Sequence, residues 1–333
     1  GRDRLSLAGA TMLNGFLITA VTMCDTHRAT LTHITPEVMP PALAIAERDN
    51  KSGRDLLVAL IAGMETMTRI GLGTDYPVFR SRGWHGPGVF GPFGSAAAVG
   101  RLRGFDAETM ARAFGLAGSQ SAGTFAAWGT PTVKFHQCRG ALSGLMAALL
   151  AEQKFVATKE FLTAKDGGLF VSYANGGKPE LALGELGKRW EFEQIALRLW
   201  PSASSTQTMN TALFDLVEKH QPAFDKIKKV RVSLSQTVYD LHGKLADYKA
   251  KFDALISAHY VAAAILLLIG WQWSGVTSGL AATASLGAAG NTMSTAAGNS
   301  AITAPRLAVA AGRSAARRPS CVPDAPCAAL ICT

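Results

Sequence analysis

The reactive side chains of this sequence gather in short polar clusters set between long apolar stretches. One is Cys24-Asp25-Thr26-His27, with His33 following it; another is Arg80-Ser81-Arg82-Gly83-Trp84-His85-Gly86-Pro87-Gly88. A third is Pro131-Thr132-Val133-Lys134-Phe135-His136-Gln137-Cys138, and the last is Arg198-Leu199-Trp200-Pro201-Ser202, joined later by His259-Tyr260. Taken singly, each has an ordinary explanation: a lone histidine is more often structural than catalytic, and an isolated lysine is nearly always a surface charge. Their placement beside glycine-rich or apolar joints between helices is what points to function, because a rigid scaffold holds functional loops in place. Histidine exchanges protons near neutral pH, and a buried lysine can be brought into the same range. Arginine offers a fixed fork of donors suited to a carboxylate. Together these groups suit proton abstraction beside a carboxylate, with cations holding the enolate-like charge that develops.

Other chemistries fit less well. Gly86-Pro87-Gly88-Val89-Phe90-Gly91 matches a dinucleotide fingerprint by letter, but no clear strand precedes it, Pro87 stiffens the turn and no βαβ unit surrounds it. Turn formation and close helix packing account better for those glycines. His27 and His33 are not at helical ligand spacing and have no evident third ligand, so the residues give a metal site no support.

The elements that must position these groups are mainly helices. Residues 55–67 place Leu56, Leu60, Met64 and Met67 on one stripe, and Asp106 with Glu108 opens another helix in the acidic first-turn position. Residues 139–152, almost wholly Ala, Leu, Gly and Met, predict a central buried helix. After Trp200-Pro201 the pattern changes. Residues 206–220 still read as a helix, but Val230, Val232 and Leu234 then alternate with Arg231, Ser233 and Ser235, the period of a half-exposed strand. The prediction is a mostly α chain with a smaller α+β part, divided near residue 195.

A chain of 333 residues has room for one large core and a smaller second domain. Its net charge of +9 fits a basic surface for nucleic acid or a pocket that gathers anions. No arginine-rich helix, aromatic-interleaved basic strand or zinc-finger spacing is present, and the basic run at 226–231 reads as the solvated approach to a strand, so no nucleic-acid partner is expected. Cys24 and Cys138 read as small hydrophobes; Cys321, Cys327 and Cys332 crowd the C-terminal end without CxxC spacing. With no signal peptide read, a cytoplasmic location is expected. Residues 5–23 and 254–269 imitate membrane spans but carry Ser6, Thr11, Asn14 and Thr19, or Ser257, His259 and Tyr260, so both are expected in a protein core rather than a membrane. From residue 267 onward small residues dominate and charges are few, which predicts poor order.

The same clusters resemble a known family. Asn14-Gly15, then Asp25-Thr26-His27 and His33, are similar to the N-terminal helix and D-T-H segment of the MmgE/PrpD proteins. Arg82-Gly83-Trp84-His85 with Phe93-Gly94-Ser95-Ala96-Ala97-Ala98 resembles that family's G-[FW]-H stretch and alanine-rich helix. Ala117-Gly118-Ser119, Ser121-Ala122-Gly123 and Lys134-Phe135-His136 resemble its A-G-S…G…K-x-H pattern, and the agreement runs to about residue 266. The family includes 2-methylcitrate dehydratase, cis-aconitate decarboxylase and iminodisuccinate epimerase.

The resemblance implies a homodimer with a helical domain (1–194, incomplete at its N-terminus), a partial α+β lid (195–266), an atypical tail (267–333) and a cofactor-free pocket. By position it implies His33, His85 and Lys134 as catalytic residues, with Asp25, Thr26, Arg198 and Tyr260 binding a small anionic carboxylate. Two departures stand out: Thr22-Met23-Cys24 lies where the family commonly has an acidic residue, and residues 202–207 lack the histidine often found there. The activity implied is that of a lyase, a dehydratase or decarboxylase, with an isomerase next. The alternative is a truncated, degenerate member that serves at most in binding or dimerisation.

Overall fold

The computed structural model describes residues 4–222 and 226–277, with short strands at Met293–Ser294, Ala301–Ile302 and Leu330–Cys332. It divides after Pro201 into two compact units, seven residues beyond the boundary expected at 194. Most of the expected tail lies outside the described residues. Helix nevertheless continues past residue 267, to Thr277.

The first unit is built on helices α1 (Leu7–Ala20), α2 (Thr35–Arg48), α3 (Gly53–Gly73), α4 (Tyr76–Ser81), α5 (Gly86–Arg103), α6 (Ala107–Gly118) and α7 (Thr132–Glu152), followed by the short α8 (Leu169–Ala174) and α9 (Pro179–Leu183). Their starts follow from capping chemistry. Ser6 accepts from the Gly9 N–H, Ser52 and Asp55 form a reciprocal capping box, and Asp106 accepts from the Thr109 N–H at 2.8 Å. In α3, Met67 is fully buried and Leu56, Leu60 and Met64 pack against the core, as the stripe requires.

Residues 139–152 form a central, largely buried helical segment as expected, and α5 beside it is buried more completely. It buries nearly every residue from Gly86 to Val99, including Val89, Phe90 and Phe93, and packs against α3, α6 and α7. The glycines at 86–91, read as serving a turn and close helix packing, form its first turns and do pack closely, Gly91 against Glu37 and Gly140, with Pro87 near the start where its missing N–H is not needed. Residues 139–152 extend α7, which keeps the exposed Met146 on its outer side. The close crossing of α3 and α5 depends on Gly63 and Gly94. A Cβ at Gly63 would stand 2.6 Å from the Gly94 carbonyl oxygen, so the two backbones touch.

Among the described residues one helix, α3, is long and apolar enough to cross a membrane, by length and composition only. Here its Ala59, Gly63, Met67 and Ile70 are buried in the core, beside a buried Arg69–Glu65 ion pair. Helix α1 takes 14 residues of the stretch at 5–23, short of the roughly 20 needed to span a bilayer. It packs on α2 and α7 through its small residues Thr11, Gly15 and Thr19, and turns Leu13, Phe16 and Leu17 outward.

A strap closes the first unit. Arg69 donates to the backbone carbonyls of Ala182, Gly184 and Arg189, and Glu65 accepts from the Phe192 N–H at 2.8 Å. The strap ends in strand β2 (Ile195–Ala196), which pairs antiparallel with β1 (Thr26–His27), Thr26 opposite Ala196.

In the second unit, α10 (Gln207–His220) packs on α13 (Ala258–Thr277) through Met209, Leu213, Val217, Ala258, Ala262 and Ile265. Between them in sequence come β3 (Val230–Val232), α11 (Gln236–Val238) and α12 (Lys251–Ile256). Val232 and Leu234 turn toward this small core while Arg231 is exposed, the alternation expected of a half-exposed strand.

The α3–α5 crossing gives a test of sign. In an open helix Gly63→Ala would gain about 1 kcal/mol from propensity; here overpacking of about 1–3 kcal/mol is set against it. Gly63→Ala should therefore lower the urea midpoint, and a raised midpoint would contradict the backbone contact.

Candidate active site

The loop from Val21 to Ile34 carries the first cluster. Asp25 is buried and its carboxylate accepts from the backbone N–H groups of Ile34 and Thr35, at 3.3 and 2.9 Å to Oδ1. Ile34 has no side-chain acceptor to cap α2, so Asp25 supplies one from nine residues upstream. Burial pushes the Asp25 carboxyl up against the lowering effect of those bonds. Its backbone carbonyl plays a separate part. The carbonyl oxygen lies 2.8 Å from His33 Nδ1 and also accepts from the Thr26 hydroxyl. A carbonyl can only accept, so His33 carries its hydrogen on Nδ1 and keeps Nε2 as the basic nitrogen. Burial, with Arg198 and Lys134 nearby, drives His33 well below its ordinary pKa.

His27 is structural. Fully buried, it bonds Thr30 through Nδ1 at 2.9 Å and Glu191 through Nε2 at 3.2 Å, tying the loop to the strap. The β1–β2 pairing returns Arg198 to the same loop, where Nε donates to the Cys24 carbonyl at 2.6 Å and the guanidinium also reaches the Cys24 sulfur.

His85 occupies the N-cap position of α5, and its backbone N–H donates to the Gly123 carbonyl. Its ring is buried, lies against Phe125 edge-on and meets His136 at 3.0 Å between the two Nδ1 atoms. Burial, then His136, Arg80 and Lys134, bring it down to about 3. Lys134 stands in the first turn of α7, an unfavourable place for a cation by the helix dipole. Burial chiefly lowers it to about 8; Cys24 and Glu37 act in the raising direction and Arg198 in the lowering one.

Thus electrostatic contacts in the first unit link His33 to Arg198, Lys134 and His85, and Arg198 in turn to Asp25 and Lys134. Thr26 joins them through its 3.2 Å contact with His33. Tyr260 belongs to the second unit, where its ring meets Tyr248 edge-on at 5.5 Å. No group of three or more His, Cys, Asp or Glu side chains among the described residues is arranged to hold a metal. A surface recess of about 280 Å³, lined by Lys51, Asp55 and Arg101–Gly104, lies at the opposite end of α5 from His85 and contains none of the reactive groups.

Glu37, and His136 of the third cluster, carry no role in the sequence alone. Glu37 is fully buried in the first turn of α2, and neither carboxyl oxygen has a hydrogen-bond partner. Burial drives its pKa well up, and Cys24, Asp25 and Cys138 add to the effect. In the sequence it passes for an ordinary acidic first-turn residue. His136 sits beside Lys134 but faces His85, a contact visible only once α5 and α7 cross.

The family model for the MmgE/PrpD N-terminal domain matches residues 1–182. The chain belongs to the MmgE/PrpD family. Among similar proteins, the cis-aconitate decarboxylase-like protein oryM of Aspergillus oryzae is 33% identical over 249 residues, covering 69% of this chain and 52% of that protein. Cis-aconitate decarboxylase of Homo sapiens is 29% identical over 280 residues, covering 79% and 56%. That of Aspergillus terreus is 27% identical over 250 residues, covering 70% and 51%. The chain spans about half the length of the curated relatives it matches.

Glu37 makes a pH-dependent prediction. Its raised pKa means that the fold favours the protonated acid, so this contribution to stability is full below the ordinary glutamate value and is lost as pH rises toward the raised one. Glu37→Gln, which mimics the neutral acid, should stabilise the chain at neutral pH by about 1–3 kcal/mol. The gap should close in acid when thermal midpoints are compared across pH; a gap that does not change with pH would contradict a protonated Glu37.

Proposed function

We propose that the chain is a metal- and nucleotide-independent lyase that decarboxylates a small unsaturated tricarboxylate of the cis-aconitate kind. The observation that carries this reading is Lys134, buried and brought to about 8 beside His33, His85 and Arg198. An ammonium of that strength is mostly protonated at neutral pH yet gives its proton up far more readily than an exposed lysine. The names of the relatives support the substrate class.

Loss of carbon dioxide breaks a carbon–carbon bond and leaves the electron pair on the substrate, spread into the adjoining double bond and carboxylate. Arg198 and Lys134 are the cations placed to oppose that charge in surroundings of low dielectric. Lys134 then gives its proton to carbon and is left as a neutral amine. His33, with Nε2 unprotonated, is the base that dehydration or epimerisation of a related acid would need. The +9 charge of the chain suits an anionic substrate. We read the assembly as a homodimer, since the outward face of α1 with Leu13, Phe16 and Leu17 is apolar and a second copy would cover it.

A second reading, a catalytically silent member, is favoured by one observation: the Asp25 carboxylate is already committed to the start of α2 and Arg198 to Cys24. Turnover of cis-aconitate by the parent chain and by Lys134→Ala decides between them. The expected result is a fall in kcat of at least about 100-fold with an unchanged unfolding midpoint. Parental kcat in the variant would remove Lys134 from the chemistry, and no turnover by the folded parent would favour the silent reading.

A further inference from the structure

The His85–His136 contact has a consequence that the function above leaves unused. Two imidazoles joined through their Nδ1 atoms at 3.0 Å must share one hydrogen, since one Nδ1 has to donate and the other accept. The ring whose Nδ1 donates has a bare Nε2, and the ring whose Nδ1 accepts carries its hydrogen on Nε2. The two tautomers of the pair therefore present His85 Nε2 either as an acid or as a base, while both rings stay neutral.

The surroundings favour this neutral pair. The charged and titratable groups acting on the two rings are Arg80 of α4, Lys134 and Arg139 of α7, and His33 of the 21–34 loop. None is a carboxylate. Both imidazoles are held below their ordinary range, chiefly by burial. The two rings differ in access, however: His85 is buried and His136 is half-buried. Their alignment is also built in. Gly123 has φ +127°, and a Cβ there would stand 3.0 Å from His136 Nδ1; a Cβ at Gly88 would stand 2.1 Å from the Ala122 carbonyl oxygen and 3.4 Å from His136 Cβ. The main chain thus closes around the His136 ring from the 119–131 loop and from α5.

We propose that His136 is a proton relay that couples His85 Nε2 to solvent through their shared Nδ1–Nδ1 hydrogen bond, each transfer switching the pair from one tautomer to the other. In one transfer His85 gives the Nε2 proton to its reaction partner, the Nδ1 hydrogen of His136 moves to His85 Nδ1, and His136 Nε2 takes a proton from water. One proton enters, one leaves, and no ring is left charged. Run backwards, the same steps drain a proton abstracted by His85. His136 acts through His85 and is a positioning residue. The catalytic side of the inference rests on the lyase reading above; the relay itself does not.

The decisive measurement uses the whole chain labelled with ¹⁵N-histidine and needs no substrate. Solvent exchange of the His85 ring hydrogen is followed by NMR in the parent and in His136→Asn, whose side-chain amide can keep a hydrogen bond but cannot pass a proton on. Exchange at least about 10-fold slower in the variant, with an unchanged unfolding midpoint, is the expected result. Unchanged exchange would overturn the relay. A variant that fails to fold is replaced by His136→Ala with added imidazole, which must restore fast exchange if the relay is real; no restoration overturns it. With cis-aconitate as substrate, His136→Asn should lower kcat while leaving KM near the parent's. Parental kcat across the pH range would rule the relay out of the reaction, whereas an inactive parent with slowed exchange in the variant would count against the lyase reading alone.

Discussion

The buried carboxyl group of Asp25 is the constraint on which this site depends. Helix α2 opens at Ile34–Thr35 with no local acceptor, and its first N–H groups would be costly to bury unsatisfied. Asp25 meets that need from across the loop, and in doing so fixes the path of residues 25–34. The same residue's carbonyl sets the His33 tautomer, and the next residue begins the β1–β2 pairing that brings Arg198 back. The Asp25–Thr26 step therefore links, through side chain and backbone, the start of a core helix, the protonation of a candidate base and the closing of the strap.

Around that hub the electrostatics are unbalanced in one direction. Lys134 and Arg198 act on His33, and Lys134 and Arg80 on His85, at low dielectric, while the nearest acids, Asp25 and Glu37, are pushed toward their neutral forms. Burial weakens each charged form and the neighbouring cations weaken it further, which is how Lys134 comes to about 8 and His85 to about 3. A polycarboxylate would relieve this repulsion, and its charge would then be held by groups already in place rather than by reorganising water. This is the link between packing and chemistry: helices crossing through glycine and alanine exclude solvent, and exclusion of solvent tunes the bases.

Much of this was legible in the residues. A 3.6-residue stripe located α3 and alternation located β3, since each has one buried and one exposed face, while acidic first-turn residues marked the start of α6. The polar clusters at 24–27, 84–85 and 134 stood out against apolar flanks. What could not be read was anything decided by helix crossings. Helix α5 is buried on all sides, so it has no periodicity, and its glycines imitate a turn. Glu37 looks like a dipole-compensating residue until α5 and α7 close over it at Gly91 and Gly140. His136 is two residues from Lys134, which hides that it serves a ring 51 positions away. The Asp25 carboxylate also accepts from the α2 backbone, a partnership set by loop geometry and not by residue type.

The central claim is that the Lys134 neighbourhood releases carbon dioxide from an unsaturated tricarboxylate and delivers a proton to the carbon left behind. The most direct test is to incubate the chain with cis-aconitate in heavy water and follow substrate, bicarbonate and product by NMR. Decarboxylation of this kind releases one carbon dioxide per substrate consumed and places one deuterium on carbon within the allylic unit over which the electron pair was spread. Addition of water across the double bond with all carboxylates retained, or deuterium exchange into intact substrate without carbon dioxide, would contradict it.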